Sequence, residues 1–138
     1  MITYKLPEEH ENIIELIPYF LTLALNTGIS EIQNYVHSRN GLFIPAHVDR
    51  SRNGIFSQLG FIPPGLKFDA LGISRFSSVK DVRKHYVVQK EITLIRNSDA
   101  HTLSPIGEIY SIFNMNEISF CEIKSALNQR DSHFVEII

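Results

Sequence analysis

The stretch "EITLIRNSDAHTLSPIG", residues 91–107, decides how the rest of the chain is interpreted. Its first half is rich in β-branched and aliphatic residues, which are favoured in strands. This apolar run ends in Asp99 and His101. On extended backbone an i, i+2 spacing turns both side chains to the same side. The segment therefore predicts a buried strand, Glu91–Asn97, whose end presents a carboxylate and an imidazole together.

A second apolar run ends in the same way. In "NGLFIPAHVDR", residues 40–50, the predicted strand Leu42–Ala46 is followed by His47, with Asp49 two positions further on. We expect His47, and less firmly Asp49, to stand at a strand end as Asp99 and His101 do.

Strands and helices are predicted to alternate along the chain, although Pro18 leaves the state of residues 13–25 undecided. Further strands are predicted at 68–74, 108–115 and 133–138. Four helices are predicted. The first runs from a cap at Asn26 or Thr27 to Gly41, and a short one lies within 50–61. The third runs from a cap at Ser77 or Ser78 to residue 86, and the fourth begins at a Ser119 cap, with Glu122 at the capping-box position.

This alternation is typical of parallel βα units with right-handed crossovers. The carboxyl ends of parallel strands gather on one side of an α/β sheet or barrel, where binding and catalytic groups are built. The sequence therefore predicts that His47, Asp99 and His101 meet at one rim.

Composition limits the classes of protein to consider. At 138 residues the chain is most simply one domain, 1–138, and a net charge of −2 argues against a general nucleic-acid binder. Cys121 is the only cysteine, so no intrachain disulfide is possible. The first residues do not resemble a signal peptide, and the most apolar window, 17–25, is too short to span a bilayer. We expect a cytoplasmic protein that binds no membrane.

The predicted rim has the chemistry of a metal site. Imidazole and carboxylate groups are ligands for zinc, manganese or iron, and a bound metal activates water. Arg50, Arg52 and Arg75 follow the strand ends, where guanidinium groups suit phosphate oxygens. A simpler interpretation stays open, since Asp and His are also common turn residues that bond local backbone. The other histidines are expected to be exposed: His10, His37, His85 and His133.

Three segments in order, "GLFIPAHVDR", "ALGISRF" and "SDAHTLSPIG", resemble the polymerase and histidinol phosphatase (PHP) family of metal-dependent phosphoesterases. The resemblance covers about residues 29–127. It implies an α/β fold with mostly parallel strands and crossover helices, corresponding to the back half of a distorted (β/α)7 barrel. It also implies that His47, Asp99 and His101 are metal ligands, with Arg50 at the mouth of the pocket.

The sequence departs from the family pattern in its ligand set. It contains no His-x-His, and Gly72 stands where relatives often carry a glutamate. The chain thus resembles the C-terminal half of a PHP domain. We expect it to pair with another copy of itself or with a separate front-half chain.

Two functions remain open, and a third is less favoured. The first is a PHP-type hydrolase fragment that acts on a small phosphate ester or nucleotide with a divalent metal, zinc, manganese or iron. In it Arg50 and Arg75 contact the phosphate, and full activity needs the missing half. The second is a non-catalytic remnant that serves as an oligomeric assembly or phosphate-binding module. The third is a plain α/β scaffold.

Overall fold

A computed structural model describes the backbone of residues 4–7 and 13–17 and both backbone and side chains of residues 24–138. No helix in these ranges is long and apolar enough to cross a bilayer. The strands are β1 Tyr4–Pro7, β2 Ile13–Ile17, β3 Leu71–Ile73, β4 Leu94–Arg96, β5 Ser111–Asn114 and β6 Phe134–Ile137. The helices are α1 Ile29–Ser38, α2 Ile55–Leu59, α3 Val79–His85 and α4 Phe120–Leu127.

The centre of the fold is the parallel pair β3 and β4. The predicted strand 42–46 lies beside β3 as an extended segment. Gly72 N donates to Pro45 O at 2.8 Å, and Val48 N donates to Gly72 O at 2.9 Å. The segment is not a regular strand because Pro45 has no N–H to continue the ladder. Even so, it brings His47 to the carboxyl end of β3.

The prediction of mostly parallel strands is wrong for the rest of the described chain. β1 pairs with β2 and β5 pairs with β6, both antiparallel. The described strands therefore form three two-stranded sheets, and no barrel is seen in this part of the chain. The connection from β5 to β6 contains α4, and a linker of that length can join strands in either direction. Sequence spacing does not determine that direction.

The two faces of the parallel pair have different neighbours. Leu71 lies opposite Leu94, and both belong to the buried core, together with residues of α2 and α3. Within that core the rings of Phe56 and Tyr86 stack with centroids 4.1 Å apart. Alternation along the strands turns Gly72 and its neighbour Ile95 to the other face, which lines a cavity.

Serine caps begin two helices as predicted. The Ser78 and Ser119 hydroxyls accept hydrogen bonds from backbone N–H groups in the first turns of α3 and α4. α1 begins after Gly28 and not after Asn26 or Thr27, the predicted caps. Thr27 donates instead to the Glu31 carboxylate, which also accepts from Gly28 N at 3.2 Å.

Two histidines expected at the surface are partly or fully buried. His37 is half-buried, with Nε2 3.0 Å from an Asp69 oxygen. His133 is only 7% exposed and lies between an Arg130 carbonyl (3.0 Å) and the Glu122 carboxylate (2.7 Å). The Glu122 hydrogen bond raises the pKa of His133 against the opposing effect of burial. His133 therefore ties α4 to β6. His85 is exposed as expected, and His10 lies outside the described residues.

Candidate functional site

A cavity of about 370 Å³ opens where the extended segment 42–46, β3 and β4 end. Its floor is apolar and includes Gly72, Ile73 and Ile95. Its polar lining residues are His47, Asn97 and Asp99. Side chains from segments about fifty residues apart therefore meet at one rim, because the hydrogen bonds to β3 align the strand ends.

Asp99 is at the centre of this rim. One carboxylate oxygen accepts a hydrogen bond from Arg50 Nη2 at 2.6 Å and lies 3.5 Å from His47 Nε2. The other oxygen lies 3.9 Å from His101 Nε2. The side chains of His47 and Asp99 are each 28% exposed, whereas that of His101 is 88% exposed. All three predicted ligands are thus neighbours, and Asp99 joins them.

The backbone at two of these residues is left-handed, with φ of 47° at His47 and 50° at Asp99. This region is uncommon for residues other than glycine, although His, Asp and Asn adopt it more readily than most. Positive φ values also occur at loop residues outside the site, such as Asn53 and Gln129. At His47 and Asp99 the left-handed turn ends the extended backbone. The sequence carried no clear signal for this conformation.

The charges around Asp99 favour its ionised form. Desolvation alone would raise its pKa, but the Arg50 hydrogen bond and the neighbouring charges of His47, Arg50 and His101 together lower it. His47 Nδ1 is buried without a hydrogen-bond partner in the described part of the chain. A buried imidazole nitrogen of this kind normally has a hydrogen-bond partner. At metal sites that partner orients the imidazole ring.

The donor types at the rim fit a divalent cation, because two imidazoles flank one ionised carboxylate. The number of donors that are in place does not fit a divalent cation. Within residues 24–138 no group of three or more His, Cys, Asp or Glu side chains is arranged to hold a metal ion. His47 and Asp99 share the cavity, but His101 lies mostly in solvent and Arg50 already neutralises the carboxylate. These residues therefore provide part of a ligand set.

The weaker expectation, that Asp49 stands at the rim beside His47, is wrong. Asp49 turns away from the cavity and accepts hydrogen bonds from Ser74 N at 2.8 Å, from Ser74 Oγ at 2.9 Å and from Ser77 Oγ. These bonds fasten the loop after His47 to the loop that follows β3. Asp49 is thus a positioning residue. Its spacing from His47 had suggested a place at the rim and gave no sign of this role.

The three arginines also separate. Arg50 binds Asp99, and Arg52 is exposed. Arg75 pairs with Glu108 at 3.0 Å and lies over the Phe76 ring, 4.6 Å from its centroid. The structure therefore brings one of the two predicted phosphate contacts, Arg50, to the rim.

Gly72 has a packing reason to be glycine. A Cβ at this position would lie 3.2 Å from Ala46 Cα and 3.3 Å from Pro45 O. Any larger residue would push the extended segment away from β3. Asn97, which also lines the cavity, was not among the predicted site residues. Its position as the last residue of the predicted strand was the available signal.

Replacing Asp49 should loosen the loop that carries His47 and Arg50. Asp49→Ala removes the acceptor of the Ser74 and Ser77 hydrogen bonds, so we expect a loss of about 1–3 kcal/mol of unfolding free energy by denaturant titration. Asp81→Ala, an exposed aspartate on α3, is the control and should change little. An equal loss in both variants would contradict this role.

The same carboxylate should contribute to acid sensitivity. Burial would raise the pKa of Asp49, but the hydrogen bonds from Ser77 and Ser74 outweigh it and lower the pKa. The folded state then binds a proton less readily than the unfolded state, so this contribution is present above the ordinary aspartate pKa of about 3.9 and is lost as pH falls below it. The unfolding free energy of Asp49→Asn should fall less steeply with acid than that of the wild type.

One of three comparisons with known proteins bears on the fold. No family model matches the chain. An uncharacterized protein of Bacillus subtilis (strain 168), YqxK, is 30% identical over 110 residues, which are 76% of this chain and 28% of YqxK. The crystal structure of the novel lesion-specific endonuclease PfuEndoQ from Pyrococcus furiosus matches 80% of this chain and 29% of its own, with 24% identity and a TM-score of 0.67.

The structural match is to part of this lesion-specific endonuclease. This chain shares the fold of that part. At 24% identity the likeness concerns the fold alone. The chain spans less than a third of the length of either protein.

Proposed function

We propose that this chain is part of a PHP-type metal-dependent phosphoesterase, a hydrolase whose site lies at the rim around Asp99. The structural likeness to part of an endonuclease supports the class at the level of the fold. The observation that carries the proposal is the convergence of two imidazoles and a guanidinium on one ionised carboxylate, at the mouth of a cavity.

His47, Asp99 and His101 would supply part of the ligand set. A divalent ion held by these residues would supply an activated water and would stabilise charge on phosphate oxygens. Arg50 would bind the phosphate through its guanidinium fork, and the negative charge of Asp99 would keep that fork at the rim. Arg75 is the weaker candidate for this role because Glu108 already holds it.

The remaining ligands would not come from residues 24–138 of the same chain. We propose a second copy of the chain or a separate front-half chain as their source. A small phosphate ester or nucleotide remains the proposed substrate. The structural neighbour is named as a lesion-specific endonuclease, so phosphodiesters of nucleic acid belong in the same assay.

A separate observation favours a second function, that of a phosphate-binding assembly module. Arg50 already neutralises Asp99, and within the described side chains three metal donors are not assembled. A site in this condition would bind phosphate through Arg50 and the two imidazoles without hydrolysing an ester.

Manganese uptake and manganese-dependent hydrolysis by the full chain test the proposal. We expect the wild type to take up Mn²⁺ and to hydrolyse a generic phosphate diester, with Asp99→Asn reducing the rate at least about 100-fold because a carboxylate ligand is lost. Asp81→Asn, which changes an exposed carboxylate on α3, should behave as the wild type.

The three outcomes separate the candidates. Uptake and hydrolysis that both depend on Asp99 support the enzyme. Asp99-dependent uptake without hydrolysis supports the metal site but not catalysis by this chain alone. If uptake is absent, or is the same in Asp99→Asn as in the wild type, the metal site is not at this rim and the proposal fails; phosphate binding without metal uptake then supports the binding module.

A further inference from the structure

A second cavity, of about 340 Å³, opens at the amino end of β4, whereas the rim around Asp99 follows the carboxyl end of that strand. Part of its lining is apolar and comes from α3, β4 and β6. The other lining residues are polar or positively charged: Arg83, Lys90, Thr93 and Gln129. None of the described lining residues is acidic. The cavity therefore combines an apolar wall with positive charge, which suits an anion that carries an apolar body.

Thr93 lines this cavity with a hydroxyl proton that has no acceptor among the hydrogen bonds of residues 24–138. The residue is only 5% exposed. Gln129 Nε2 donates to Thr93 Oγ1 at 3.0 Å and to the Glu91 carbonyl at 2.9 Å. The carbonyl requires a donor opposite it, so the amide of Gln129 cannot be turned round and the Thr93 oxygen is the acceptor in its bond. The Thr93 O–H is therefore available to donate, although buried hydroxyls normally have an acceptor.

Two positive charges beside this hydroxyl have no carboxylate partner within the described side chains. The Arg83 guanidinium donates to the Gln89 carbonyl and, at 2.9 Å, to the Ile92 carbonyl. These bonds fix the position of the guanidinium without cancelling its charge, and they use two of its five N–H groups. Neither Arg83 nor Lys90 takes part in a salt bridge of the described chain. The cavity thus holds positive charge and hydrogen-bond donors but no anion of its own.

We propose that this cavity binds a small organic carboxylate with an apolar body. The carboxylate would accept hydrogen bonds from the Thr93 hydroxyl and from the remaining N–H groups of Arg83, beside the Lys90 ammonium. The apolar body would lie against the side chains of Leu94 and Phe134. Two carboxylate oxygens match these few donors, whereas a phosphate brings more oxygens and a second charge. The site is separate from the rim, so the inference does not depend on the proposed function.

Hexanoate is the probe for the first test, a chemical-shift titration of the full chain by NMR. Acetate keeps only the charge of hexanoate, and hexanol keeps only its apolar body. We expect hexanoate to bind at least about tenfold more tightly than either, because it alone uses both parts of the cavity. Equal binding of hexanol, or no binding of hexanoate, would overturn the proposal. Tighter binding of hexyl phosphate would show that the site is built for phosphate and not for carboxylate.

The second test removes the hydroxyl. Thr93→Val keeps the shape of the side chain and should bind hexanoate about tenfold more weakly, the loss expected for one hydrogen bond to a charged group. Thr93→Ser restores the hydroxyl and should stay within about threefold of the wild type. Thr102→Val, at an exposed threonine outside the cavity, should match the wild type. If Thr93→Ser loses as much affinity as Thr93→Val, packing and not the hydroxyl accounts for the effect.

Lys90→Ala tests the charge without altering the core, because Lys90 is exposed. It should bind hexanoate about threefold more weakly, and its affinity should depend less on salt than that of the wild type. Lys84→Ala, at an exposed lysine of α3 outside this cavity, is the control and should match the wild type. Wild-type affinity in both Thr93→Val and Lys90→Ala would place the bound carboxylate elsewhere and sink the inference.

Asp99→Asn separates this inference from the proposed function. It should bind hexanoate as the wild type does, whatever happens to Mn²⁺ uptake at the rim. Hexanoate binding that depends on Thr93 would support the second site even if the rim took up no metal. Loss of hexanoate binding in Asp99→Asn would show that the carboxylate binds at the rim, and the second site would be wrong.

Discussion

Gly54→Ala should lose about 3 kcal/mol of unfolding free energy, toward the upper end of what overpacking costs. A Cβ at Gly54 would lie 2.5 Å from Arg50 O, 2.9 Å from Arg50 N and 2.9 Å from His47 O. All three are backbone atoms, so the clash cannot be relieved by a side-chain rotation. The loop must open, and it would carry His47 and Arg50 away from Asp99.

Gly28→Ala is a matched control for this effect. Gly28 and Gly54 both stand at the N-cap of a helix with nearly the same extended backbone, φ −75° and −78°. Nothing lies within 4 Å of a Cβ built on Gly28. Chemical denaturation should therefore show a change of well under about 1 kcal/mol for Gly28→Ala. Similar losses at the two glycines would show that cap chemistry, and not the close approach of the loop, accounts for the effect.

Leu71→Ala is the second large effect that we expect, about 2–5 kcal/mol of unfolding free energy. Leu71 is fully buried in β3 and faces Leu94 across the parallel pair. The substitution removes buried methyl groups and leaves a cavity between strands that packing on α2 and α3 prevents from closing. Thermal or denaturant unfolding measures the loss.

Leu103→Ala provides the comparison, because Leu103 is 87% exposed. Its unfolding free energy should change by less than about 0.5 kcal/mol. If Leu71→Ala were equally mild, the β3–β4 pair would not be the centre of the core. The alignment of His47 and Asp99 at the rim would then depend on contacts outside this strand pair.

The sequence was informative wherever a local pattern is sufficient. Short-range signals predicted a cap at Ser77 or Ser78, a cap at Ser119 and the strands around Leu71 and Leu94, because capping and strand preference depend on neighbouring residues. The expectation that His47, Asp99 and His101 would be neighbours followed from one general rule about parallel strands. Their role as metal ligands stays a prediction, as does one domain over residues 1–138.

Long-range partners were not readable from the sequence. The direction of β6 against β5 and the burial of His133 depend on how α4 packs, which no local pattern encodes. Likewise, the apolar content of the segment before His47 predicted a strand, but Pro45 made it an extended neighbour of β3.

By itself, the sequence determined which residues end the central strands and carry ionisable groups there. Only the tertiary structure decided that Asp49 would turn to Ser74 and Ser77 while Asp99 turned to Arg50. The physical reason is that a carboxylate's partners depend on which donors reach it through space, and these donors lie 25 to 49 residues away along the chain.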